Sequence, residues 1–266
     1  MRTILLSALV VTIIITGCAS AKMAVSDDLK PAYDEYKVKG KDKTSIFKKQ
    51  KMSFGDYSTN SVQRSWTKGH SSRSGIGYVD PFRQEWINII SVKYTDKKQT
   101  LRYEMNNGAL QSEVYCVSRF NAEDLEIGRN PNSILNIGMD LFGSGVKLSS
   151  MYYVQIFASS TENRPWEMAL DNHVAQSSPH SYIGRLAKSR DEYYDIVPVS
   201  KIEMKGKTGN MFAGSIGFEF RNKYGKTVAA VSLMDKGMVY LGKTTPEERF
   251  LLANACTAIL LQEVIG

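Results

Sequence analysis

Three histidines, one run of acids and tyrosines, and many serines are the residues whose types could do chemistry. His70, His173 and His180 fall in no HExxH or other close metal-ligand spacing. His173 and His180 stand seven apart across Pro179, so no metal and no cofactor is expected from them. Ala213–Gly217 reads AGSIG, a superficial likeness to the GxSxG nucleophile turn. A serine activated by His70 or His180 is imaginable, as in any serine-rich chain. Asp191, Glu192 and Asp195, with Tyr193 and Tyr194, make an acidic aromatic cluster. Paired carboxylates cleave glycosides only at a defined separation, which sequence does not display. An exposed hairpin with tyrosine–charge pairs is the plainer reading. Ser74–Gly77, SGIG, reads as a flexible turn or a small anion-binding nest. No Walker A motif occurs, and no GxGxxG opens a helix.

The element best placed to organise these residues is the C-terminal stretch 244–266. Thr245 suits a helix cap, Pro246 the first helical position, and Glu248, three residues after Thr245, the partner in a capping box. Glu247 and Glu248 put negative charge at the positive end of the dipole. From Phe250 to Leu261 only Asn254 and Thr257 are polar, so the predicted helix, residues 245–264, is apolar nearly all round. It is too short to span a bilayer, which takes about 20 apolar residues. It must therefore be enclosed by the rest of the chain.

Upstream the chain reads as β. Gly55-Asp56 and Asn107-Gly108 are turn signals, and Leu101, Tyr103 and Met105 share one strand face. Trp86, Asn88, Ile90, Val92 and Tyr94 alternate in another strand. Asn130-Pro131 is a start for a short helix through Phe142. Ile216, Phe218 and Phe220 face one side of a late strand, with Glu219 and Arg221 on the other. Two further strands follow, around Val228-Ala229-Ala230 and Tyr240, and lead into the helix. No linker divides the body, and no fixed repeat is present.

Met1 and Arg2 precede an apolar run from Ile4 to Ile15, then Ile15-Thr16-Gly17-Cys18. This resembles the bacterial lipoprotein signal. The resemblance implies that residues 1–17 are removed and that Cys18 is lipidated as the first mature residue. Ala19, where an Asp would favour inner-membrane retention, points to the outer membrane. An ordinary secretory signal is the competing reading. Residues 18–45 read as a lysine-rich tether, and 46–266 as one β-rich domain.

The chain carries a net charge of +7. Much of the excess lies in residues 37–51, where Lys37, Lys39, Lys41, Lys43, Lys48, Lys49 and Lys51 accompany one acid, Asp42. These lysines are either a solvated tether or a contact for anionic lipid headgroups. Nucleic acid is not expected as a partner. An oxidising compartment permits a disulfide between the two remaining cysteines, Cys116 and Cys256. Both point inward on this reading, so contact between them and two buried free thiols stand as alternatives.

Phe218-Glu219-Phe220, the turn Asn222–Gly225, Val228-Ala229-Ala230, Tyr240 and the helix together resemble the C-terminus of the tubby-like superfamily, which includes phospholipid scramblases. The likeness covers about 50 residues. It implies a closed β-barrel of about twelve strands around a hydrophobic C-terminal helix. No lipid-binding residue of that superfamily is carried over. The fold class expected is mainly β: a closed or nearly closed antiparallel barrel around the helix. A β-sandwich or open sheet with the helix packed on one side is the alternative. The expected function is that of a lipid-anchored envelope protein, a non-enzymatic module for lipid or another envelope component. The alternative is an envelope hydrolase or carbohydrate-active protein.

Overall fold

In a computed structural model, the described residues are 21–42, 49–67, 74–79, 86–92, 98–118, 125–127, 151–158, 164–171, 184–204, 206–210 and 214–262. The first strands are β1 (Lys22–Met23), β2 (Tyr33–Lys37), β3 (Ser53–Phe54), β4 (Tyr57–Thr59) and β5 (Gln63–Thr67). Then come β6 (Ser74–Val79), β7 (Trp86–Val92), β8 (Lys98–Asn106), β9 (Gln111–Ser118) and β10 (Leu125–Ile127). The next group is β11 (Met151–Phe157), β12 (Trp166–Asp171), β13 (Gly184–Ala187), β14 (Tyr193–Val199) and β15 (Lys201–Met204). The last strands are β16 (Lys207–Asn210), β17 (Gly217–Asn222), β18 (Thr227–Ser232) and β19 (Met238–Gly242), followed by helix α1 (Pro246–Leu261).

Twelve strands are hydrogen-bonded in the order β2, β19, β18, β17, β14, β13, β12, β11, β9, β8, β4, β3, and β5 also pairs with β8. Every pairing is antiparallel. The two ends of this order meet just beyond β2. Lys39 and Ser53 exchange backbone hydrogen bonds at 2.9 and 3.0 Å, an isolated bridge that joins the β2 edge to β3. The sheet is thus a nearly closed barrel, which leaves little unpaired edge. Two small sheets stand apart from it, β1-β15-β16 and β10-β7-β6.

Helix α1 fills the barrel. Its start is the one its sequence specifies: Thr245 Oγ1 accepts from Glu248 N at 3.2 Å, with Pro246 in the first turn. Every residue from Phe250 to Leu261 is buried. Leu101, Tyr103 and Met105 of β8, Val114 and Cys116 of β9, and Phe218 and Phe220 of β17 belong to the same core. The two polar helix residues are satisfied within it. Asn254 Oδ1 accepts from Ser112 Oγ at 2.7 Å, and Asn254 Nδ2 donates to Phe250 O. Thr257 Oγ1 lies 3.9 Å from Met105 Sδ. Wall hydroxyls also reach helix carbonyls: Tyr103 OH donates to Asn254 O and Tyr152 OH to Ala258 O. Helix α1 ends at Leu261 rather than 264, because Gln262 turns to extended backbone. Arg64 Nη2 donates to the Leu261 carbonyl at 2.9 Å, which offsets the negative end of the helix.

The domain begins well before residue 46. The segment expected as a tether over 18–45 contributes β1 and β2, and from Met23 to Leu29 it lies across the outside of the barrel. Met23, Val25 and Leu29 pack there against Ala230, Tyr240 and Val199. Glu219, which faces out from β17, is buried beneath this strap and accepts from Ser26 N and Ser26 Oγ at 2.7 Å. The physical reason is apolar burial: the outer wall of β18 and β19 is itself hydrophobic and needs a cover. Ile216 packs with this outer cluster rather than with Phe218 and Phe220 inside. Residues 74–79 are strand β6, not a loop, since β7 supplies the backbone partners. The helix expected over 130–142 lies outside the described residues.

Candidate anion-contacting surface

The lysine row is built by period-2 alternation at the barrel seam. In 36–39 and 49–54 the even positions turn in: Val38, Gln50, Met52 and Phe54 are buried. The odd positions turn out: Lys37, Lys39, Lys49 and Lys51 are exposed. The Lys39–Ser53 bridge lays the two runs side by side, so the lysines of both share one outer face. None of Lys37, Lys39, Lys49 and Lys51 forms an ion pair with a described residue, and their charge is open to solvent. Lys41 is held differently. Its Nζ donates to Leu233 O at 2.9 Å and Asp235 O at 3.1 Å, so its charge is satisfied by carbonyls without being neutralised. Lys43 and Lys48 lie outside the described residues, as does Cys18.

The register adds one lysine that composition alone did not pick out. Met238 pairs with Lys37, which brings the exposed Lys236 of the β18–β19 turn beside the same edge. The signal in the sequence was the spacing K-V-K-G-K and K-Q-K-M-S-F, alternation typical of a half-buried strand. Below the surface, Gln50 holds the seam. Its Nε2 donates to Gly40 O at 3.2 Å and to Lys41 O at 2.5 Å, and its Oε1 accepts from Arg64.

The other residues singled out above are not gathered with these lysines. His70, His173 and His180 lie outside the described residues. The acid–tyrosine cluster is engaged structurally. Arg185 donates to Asp195 Oδ1 at 2.7 and 3.0 Å and stacks over Tyr193 at 4.4 Å. Tyr194 OH donates to Glu248 at the helix start at 2.9 Å. Among the described residues no group of three His, Cys, Asp or Glu could hold a metal ion, and no helix is long and apolar enough to cross a membrane.

Cys116 and Cys256 are both buried free thiols, not a disulfide. Cys256 Sγ faces Ala230 O on β18 at 4.0 Å, while Cys116 projects from β9, on the far side of the strand order. Burial pushes the Cys116 thiol up to about 12 and raises Cys256 further, so neither is a ready nucleophile. The chain matches no protein-family model, no curated protein and no solved structure at a significant level.

Proposed function

We propose that the chain is a lipid-anchored bacterial envelope protein, delivered to the outer membrane rather than the inner, and that it acts as a binding or structural module and not as an enzyme. The lipid is carried by Cys18, and the contact with envelope components is made by the outer surface. The observation that carries this reading is the row Lys37, Lys39, Lys49 and Lys51, exposed and without ion pairs to described residues on one outer face. The interior supports it too, being occupied by α1. A barrel that encloses its C-terminal helix is also the arrangement implied by the tubby-like resemblance.

An anionic phospholipid surface is the partner that suits a row of solvated ammonium groups, each contributing about 1 kcal/mol near such a surface at low salt. The test is co-sedimentation of the lipid-free chain with vesicles of phosphatidylglycerol and phosphatidylcholine, against phosphatidylcholine alone. Binding is expected only to the anionic vesicles, weakening as salt screens the charges. Replacing the four lysines by Gln should abolish it. Equal binding by that variant counts against the lysine row. Replacing Cys18 by Ala, with unchanged processing and membrane retention, counts against the lipid anchor.

A further inference from the structure

We infer that the wall formed by β2 and β3 is the face the barrel lays against the anionic phospholipid bilayer that holds its own N-terminus, so that the domain sits with a fixed orientation instead of swinging on a tether. This rests on the reading that Cys18 is lipidated. The first argument is length. The chain is already folded at Lys22, whose backbone pairs with Glu203 of β15. Only three peptide steps separate Cys18 from Ala21, a reach of roughly 10 Å fully extended.

The second argument is where that short reach begins. Lys22 Nζ donates to Glu35 Oε1 at 2.7 Å, so the N-terminus leaves the domain beside β2. Glu35 alternates with Tyr36 and stands on the same outer face as Lys37 and Lys39. The acyl chain and the lysine row therefore leave from one wall. The third argument is that this exit cannot drift. Just downstream of Lys22, Met23, Val25 and Leu29 are buried on the outer wall. Ser26 is tied to Glu219, and Thr227 N donates to Asp28 Oδ2 at 2.7 Å.

Charge agrees with the geometry. Lys22 satisfies Glu35, and the exposed acids nearest the row in sequence and register are Asp42, Asp56 and Asp235. Lys37, Lys39, Lys41, Lys49, Lys51 and Lys236 outnumber them. A lipid chain plus a basic patch is a two-signal anchor, in which the second contact is intramolecular and fixes the face presented.

The experiment uses the full-length, processed protein in its native membranes. Ser53→Cys places a thiol on the seam beside Lys39, and Tyr224→Cys places one on the exposed turn after β17. Cys116 and Cys256 are buried, and on the lipidation reading the Cys18 sulfur is blocked by its acyl-bearing group. Each variant is labelled with a membrane-impermeant maleimide, in membranes opened to expose both faces and again after detergent extraction. Ser53→Cys is expected to lose most of its labelling in membranes and regain it in detergent, while Tyr224→Cys labels equally in both. Lys51→Cys, two residues away on the same face, repeats the reading should Ser53→Cys disturb the seam. Membrane-bound protein whose seam thiol labels as fast in membranes as in detergent overturns the inference alone. Protein recovered in the soluble fraction sinks the lipidation reading and this inference with it.

Discussion

Asp34 of β2 and Arg249 of α1 are joined across the whole chain: Arg249 Nη2 donates to Asp34 Oδ2 at 2.7 Å. The other carboxylate oxygen accepts from Lys243 Nζ at 2.6 Å. Arg249 also donates to Gly242 O and Tyr36 OH, at 2.8 and 3.0 Å. One carboxylate thus ties the second strand, the end of β19 and the first turn of the helix.

Lys243 first, and then Arg249, hold the Asp34 carboxyl below its usual range. A depressed folded pKa means a contribution that is present above the unfolded pKa and lost as pH falls through the folded one. Asp34→Asn should lower stability by about 1 kcal/mol at pH 7, as expected for a partly exposed pair. Below about pH 4 the gap between variant and parent should begin to narrow, and it should go on shrinking as pH falls further. Urea midpoints measured from pH 7 to pH 3 check this, and a gap that stays constant with pH would refute it.

The seam depends on Gly40. Its φ is +78°, and a Cβ there would meet Lys51 O at 1.9 Å. Gly225 has a similar φ of +77°, with nothing within 4 Å. Gly225→Ala should therefore cost about 1 kcal/mol for the backbone alone. Gly40→Ala must also push the two edges apart, and should cost at least about 2 kcal/mol. Deleting residues 37–45 should be worse still, since it removes Val38 and the Lys39–Ser53 bridge. Thermal unfolding of the three variants ranks them, and equal losses for Gly40→Ala and Gly225→Ala would show that the seam carries no stability.

The thiols give a chemical test of the filled barrel. Burial raises both, Cys116 to about 12, and neither contacts solvent. At pH 8 the native protein should resist iodoacetamide at both positions, and both should alkylate in urea. Mobility on a gel should be the same with and without reductant. Rapid alkylation of native Cys256 would mean that the helix leaves the barrel readily.

The helix was legible in the sequence because its signals are local: a cap at Thr245, a proline at the first position, and no polar face. The Asn107-Gly108 turn was legible for the same reason, since Asn107 Oδ1 accepts from Ala109 N and Leu110 N. The N-terminal segment was not. Met23, Val25 and Leu29 carry too little apolar surface to announce an element, and what they cover is the outer side of β18 and β19. That side is apolar only because it is covered, a tertiary fact with no local signature. The lysines misled in a different way. Their charge suggested a solvated tether, whereas the alternating Val38, Met52 and Phe54 make them the outer face of two strand runs. β6 was hidden because Gly75 and Gly77 read as a loop until β7 supplies the pairing.

Ala258 separates an enclosed helix from one packed on a single side. Asn254, Thr257, Ala258 and Leu261 form the most polar stripe of α1, the stripe a one-sided packing would leave in water. All four are buried, and the Ala258 carbonyl accepts from Tyr152 OH at 2.7 Å. A lysine at this position has no route to solvent through the wall. Its ammonium would be desolvated without a partner, at a cost of several kcal/mol. Leu252→Lys and Ile259→Lys, on other faces, should cost as much, because no face is free. A surface substitution costs only about 0.5 kcal/mol or less. The measurement is urea unfolding of residues 19–266 with and without Ala258→Lys. Should that variant not fold, Ala258→Leu keeps the test open: overpacking an enclosed site costs about 1–3 kcal/mol, while an exposed site accepts the larger side chain. A near-zero change for both substitutions would mean that the stripe faces water and that the barrel does not close around its helix.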